Sequence, residues 1–142
     1  MMAPPRFRLS RRALAPLLAA GVLALAGCAA LQPQTTEQLV AQRAEARWAA
    51  LIDGDFHQAW TFTQPGFRAL VKQKDYRKRF GAAGAWKGAQ IHKVECQPER
   101  CTVNLRLTSV VLAPPFTGQE MVGYINETWV REDGQWWYYQ TF

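Results

Sequence analysis

Glu127 is the carboxylate of this chain best placed to do chemistry. It lies in "MVGYINETWV", where Met121, Gly123, Ile125, Glu127 and Trp129 share one side of an extended strand. If Ile125 and Trp129 face an apolar interior, Glu127 faces it too. A carboxylate among apolar walls is harder to ionise and can act as a general acid or base in proton transfer. The competing reading is a rim glutamate, solvated or hydrogen-bonded, with no part in catalysis. His57 and His92 read as exposed or structurally bonded rather than catalytic. The chain has no HExxH, no GxSxG elbow, no phosphate loop and no glycine-rich dinucleotide turn. Those absences argue against the common hydrolases and nucleotide enzymes, and neither a metal nor a cofactor is expected.

Three cysteines carry different messages. Cys96 and Cys101 sit in "ECQPERC", where Pro98 and its polar neighbours make a turn between two strand-like flanks. They are expected to pair and staple a hairpin, since a disulfide is the default in an oxidising compartment. Zinc would need further ligands, and only His92 is near. Cys28 ends an apolar run, Ala13 to Ala26, preceded by Arg6, Arg8, Arg11 and Arg12 with no acid among them. In helical form that run rises roughly 21 Å, well short of the roughly 30 Å bilayer core. A basic start, a short apolar middle and small residues before a cut describe a secretory signal.

"LAGC", ending at Cys28, resembles the lipobox of bacterial lipoproteins. The resemblance implies a diacylglyceryl thioether on Cys28, cleavage just before it, and an acyl chain such as palmitate on the new amine. Two or more chains anchor firmly where one binds reversibly. Ala29 follows, not the Asp that keeps many such proteins at the inner membrane, so the resemblance implies an outer-membrane address facing the periplasm. The expected organisation is a signal peptide over residues 1–27, a lipidated N-terminus and linker over 28–35, and one domain over 36–142. Removing the four leader arginines from 17 basic residues leaves 13 against 11 acids, so the net charge falls from +6 to +2. That, with export, excludes nucleic acid as the expected partner.

The elements that would position Glu127 divide cleanly. Thr35 followed by Gln38 is a capping-box start, and Val40, Ala44, Trp48 and Leu51 recur at helical spacing. "DGD" ends that helix, and Asp55 with Gln58 caps a second. Pro65 suits the first turn of a third, and Asp75 opens a fourth that ends at Gly81. From Trp86 the pattern turns strand-like. Val103, Leu105 and Leu107 alternate, then the phase slips to Val110 and Leu112, which predicts a bulge there. "PPFTG" leads into a strand from Gln119 to Arg131, and "EDGQ" makes the last hairpin turn.

Helices followed by antiparallel strands predict an α+β fold, with N-terminal helices packed on a curved four-stranded sheet, a cystatin-like cone. The chain resembles the nuclear transport factor two-like superfamily, which includes ketosteroid isomerase and scytalone dehydratase. The likeness rests on "RWAALIDGDFHQAW", "FTQPGFR" and the closing "ETWVREDGQWWYY". It implies a cone whose mouth admits a ligand, and no catalytic Asp–Tyr pattern of the enzymes can be laid onto these residues.

Two surfaces are candidate contacts. The strand side opposite Glu127 carries Val122, Tyr124 and Val130, and the last strand adds Trp137 and Tyr139. A sheet apolar on both sides usually has both covered, here by a second copy, an envelope protein partner or the chain's own loops. Arg68, Lys72, Lys74, Arg77, Lys78, Arg79 and Lys87 crowd one segment. They are either a solvated helical face or a patch facing anionic lipid. The expected function is that of a non-catalytic, lipid-anchored envelope protein binding a small apolar ligand or a protein. The alternative is an isomerase or dehydratase using Glu127. Labelled palmitate should enter the protein and vanish with Cys28→Ser; labelling that survives the substitution contradicts the assignment.

Overall fold

Thr35 opens the first helix by satisfying its own terminus. Its side chain accepts from the Gln38 amide at 3.2 Å, and the Gln38 side chain accepts from the Thr35 amide at 2.9 Å. This reciprocal box starts helix α1, Thr36–Ile52. A computed structural model describes residues 33–81 and 85–142. The expected signal peptide and Cys28 lie outside the described residues.

After α1, Gly54 takes a positive φ of 77° that a side chain would strain. Asp55 then caps α2, Phe56–Thr61, accepting from the Gln58 amide at 2.9 Å. Pro65 sits in the first turn of α3, Pro65–Leu70, where its missing N–H costs nothing. The fourth helix is shorter than expected and begins earlier. Helix α4 spans Gln73–Tyr76 after Lys72, with Asp75 inside its first turn, and a 3-10 turn covers Arg77–Arg79.

Four strands follow: β1, Trp86–Gln97; β2, Arg100–Val110; β3, Glu120–Glu132; and β4, Gln135–Tyr138. They form one antiparallel sheet in chain order, so the fold is α+β with helices preceding the sheet. Asp133 and Gly134, at φ 51° and 74°, make the tight turn into β4. The bulge expected near Val110 is not there. β2 pairs with β3 in unbroken register from Arg100–Val130 to Val110–Glu120. The irregularities lie in β1 instead, between Trp86 and Gly88 and between Ile91 and Lys93. The apolar phase slip in β2 marks the end of the core-facing stretch, not an extra residue.

Helix α1 lays Val40, Ala44, Trp48 and Leu51 on the sheet side formed by Val103, Leu105 and Trp129. Phe56, Ala59, Phe67 and Tyr76 from the shorter helices close one end of that core. Each large apolar side chain so buried contributes about 1.5–3 kcal/mol. Packing therefore outweighs the Cys96–Cys101 disulfide, which closes the β1–β2 hairpin and contributes about 2 kcal/mol by loop-closure entropy. In denaturant without reductant, thiol alkylation should modify neither Cys96 nor Cys101, and reduction should expose both. Labelling of the pair before reduction contradicts the staple.

Candidate functional site

Strand parity carries Glu127 inward, between half-buried Ile125 and buried Trp129. Opposite it, α1 turns Arg47 toward the sheet, one helical turn beyond Ala44 and beside Trp48. The two charges meet at 2.6 Å between Arg47 Nη1 and Glu127 Oε1, with exposures of only 2% and 4%. Trp48 Nε1 donates to the same oxygen at 2.8 Å, and Trp129 Nε1 donates to Oε2 at 3.2 Å. Both carboxylate oxygens are thus held by buried protein donors. Arg47 Nη2 donates to the Tyr76 hydroxyl at 3.3 Å, and its guanidinium lies 3.6 Å from the centre of the Tyr138 ring.

The electrostatics follow from this packing. Burial opposes the charge on Arg47, but Glu127, with Tyr76 and Tyr138, outweighs it and holds the guanidinium above its ordinary range. Burial likewise pushes the Tyr138 hydroxyl above the usual phenol range, with Arg47 pulling the other way. The arrangement is a salt bridge capped by two indoles. Proton transfer through Glu127 would have to use the one lone-pair site left on Oε2, in a carboxylate only 4% exposed. Among the described residues no group of three His, Cys, Asp or Glu side chains could hold a metal ion.

The remaining sequence candidates fall in three places. Tyr124 stands on the outer sheet face, 59% exposed, with the His92 ring edge-on at 5.4 Å. Val122 beside it is 50% exposed, and Tyr139 is exposed near Arg100. Farther along that face the sheet is polar, with Asn104 donating to Asn126 at 2.7 Å. Trp137 pairs with Val130 and so belongs to this face by register, and on the edge strand β4 it is half-buried. Its indole lies near the Arg43 and Arg68 guanidiniums, at 5.3 and 4.6 Å.

The basic segment does not form one uniform surface. Arg68 stacks on Trp60 and Trp137, Arg77 on Phe56, and Arg79 on Phe67. Lys78 pairs with Asp75, whose carboxyl its hydrogen bond holds below the usual carboxylate range. Lys72 donates to the Ala69 carbonyl, while Lys74 and Lys87 are exposed. His57 is exposed near the Trp60 ring. Arg43 and Arg47 were not among the sequence candidates. The signal for Arg47 was present in its spacing, seven residues after Val40 on the stripe that α1 buries.

No protein-family model matches the chain, and a search of curated proteins finds no match. Among solved structures it is similar to a SEC-C motif containing protein from Rhodopseudomonas palustris. That likeness has 18% identity and a TM-score of 0.51, over 66% of this chain and 70% of the other. The chain is also similar to an NTF2-like transpeptidase from Campylobacter jejuni, at 12% identity and a TM-score of 0.47, over 69% and 94%. At 18% identity the first likeness is one of fold.

Removing one member of a buried ion pair strands the other charge. Arg47→Met should therefore cost about 3–5 kcal/mol in chemical denaturation, and adding Glu127→Gln should restore part of that loss. A double variant that loses the sum of the two single losses contradicts the pairing.

Proposed function

We propose that this protein is a non-catalytic, lipid-anchored lipoprotein of the bacterial cell envelope, built on a nuclear transport factor two-like domain. Its outer sheet face binds a protein, either a second copy or an envelope partner. The observation that carries this reading is the occupation of both Glu127 oxygens by Arg47, Trp48 and Trp129. A general base must present an accessible lone pair to its substrate, and here donors hold three of the four lone-pair sites of a carboxylate that is only 4% exposed. The interior polar group is therefore structural, which weakens the isomerase or dehydratase alternative.

The outer face supports the other half of the proposal. Val122 and Tyr124 are exposed in alternation on β3, and Leu112 is exposed near the same hairpin end. Tyrosine at such a spot suits association, since its ring buries apolar area while its hydroxyl stays wet. A small apolar ligand in the cone would compete for the volume that Trp48, Trp129 and Trp136 occupy. The membrane half of the proposal rests on the lipobox at Cys28. Among the described residues no helix is long and apolar enough to cross a membrane.

A photo-crosslinking amino acid in place of Tyr124 should give a discrete adduct on irradiation of cell envelopes. The same group in place of Leu70, exposed by 70% on α3, serves as the control. No adduct from position 124, or equal adducts from both, contradicts the assignment of the sheet face.

A further inference from the structure

At one edge of the domain two guanidiniums lie against three aromatic rings. The Arg43 guanidinium lies 5.4 Å from the centre of the Phe62 ring and 5.3 Å from that of Trp137. The Arg68 guanidinium lies 4.6 Å from Trp137 and 5.8 Å from Trp60. The order is thus Phe62, Arg43, Trp137, Arg68, Trp60. Three elements bring these residues together. Arg43 comes from the margin of the stripe that α1 buries, one turn before Arg47. Arg68 comes from α3, and Trp137 from β4. The stretch before α3 runs alongside β4, with the Tyr138 amide donating to the Phe62 carbonyl at 2.8 Å and the Gln64 amide to the Tyr138 carbonyl at 3.2 Å. Trp137 is fixed further by its indole N–H, which donates to the Glu132 carbonyl at 3.3 Å.

Two positive charges share one indole here, and among the described residues neither has an acidic partner. The ion pairs of the described residues are Arg47–Glu127, Lys78–Asp75 and Lys93–Glu95. Arg68 donates to the Thr61 carbonyl, whereas the buried Nε of Arg43, like that of Arg47 in the core, has no hydrogen-bond partner. Burial holds Arg43 below its ordinary range and the charge of Arg68 adds to that, while burial does the same to Arg68. Ring faces offset part of this cost, because their quadrupoles attract cations. They supply no acceptor for the remaining N–H groups. Arg77 and Arg79 differ, since each is exposed at its own ring and Arg79 also donates to the Thr141 carbonyl at 2.9 Å.

We propose that Arg43 and Arg68, held over Trp137, form a binding site for a phosphate-class oxyanion. Guanidinium forks match phosphate oxygens in geometry, and a bound anion would offset both charges. The site lies at the edge where α1, α3 and β4 meet. It involves neither Glu127 nor Tyr124, and it stands whether or not the outer sheet face binds a protein. The phosphate could arrive free or as a phospholipid headgroup, and the two sources differ in charge and in esterification.

The test is equilibrium dialysis of the full-length protein in non-ionic detergent. Its probes are radiolabelled inorganic phosphate and glycerophosphoglycerol, the soluble headgroup of an anionic phospholipid. Saturable binding of at least one probe is expected, weakened at least tenfold by Arg43→Gln and by Arg68→Gln. Lys74→Gln, at an exposed lysine, should leave it unchanged. Binding of inorganic phosphate alone identifies a free anion, and binding of the diester alone identifies a headgroup. Arg43→Lys and Arg68→Lys keep the charge without the fork, and as packing-conservative variants they should retain the fold and bind with intermediate strength. Failure of both probes to bind, or binding that all the arginine variants keep in full, overturns the site.

Discussion

The structure depends on one buried ion pair. Taking Arg47 and Glu127 out of water costs several kcal/mol per ion, and mutual attraction offsets this only when the surrounding groups complete the hydrogen bonding. Here Trp48, Trp129 and Tyr76 supply most of that bonding, while the buried Arg47 Nε has no hydrogen-bond partner. These partners come from α1, β3 and α4, so the pair satisfies itself in only one arrangement of helix and sheet. A slip of β3 by one residue would turn Glu127 to the outer face and leave Arg47 stranded in the core. The pair thereby selects one register over its neighbours, a task that non-directional apolar packing does poorly.

Arginine is handled in a consistent way elsewhere in the fold. Five of the arginines packed on the helical side, Arg43, Arg47, Arg68, Arg77 and Arg79, lie over aromatic rings. Only Arg47 among these five also meets a carboxylate among the described residues. Guanidinium tolerates such settings better than ammonium because it is planar and weakly hydrated. The cluster that looked in sequence like one charged surface is consequently divided among several aromatic supports. Interior, outer sheet face and helical edge end up with distinct chemistries: a buried salt bridge, exposed apolar side chains and, among the described residues, positive charge without an acidic partner.

Much of this frame was legible from the residues. Thr35 and Gln38, Asp55 and Gln58, and Pro65 mark helix starts through local hydrogen bonding and fixed φ, which need no tertiary context. Strand parity, which has period two, tied Glu127 to the face that Trp129 takes, but left open whether it was buried or at the rim. Its partner did not follow so readily. Arg47 lies on the buried stripe by spacing, yet a lone arginine on such a stripe also suits a stem that reaches out to solvent. Only the long-range meeting of residues 47 and 127 decides between those outcomes. The β1 bulges and the edge position of Trp137 escaped for a related reason. Pairing between distant strands and the docking of residues 62–64 beside β4 set them, and no short window of sequence encodes either.

The most direct test of the buried pair reads the two indole protons that it holds. Hydrogen exchange by proton–nitrogen NMR should show the Trp48 and Trp129 Nε1 protons protected to the level of global unfolding, because both point at Glu127 inside the core. Exchange of either proton on the timescale of an open, solvent-bathed indole would contradict a closed interior built around Arg47 and Glu127.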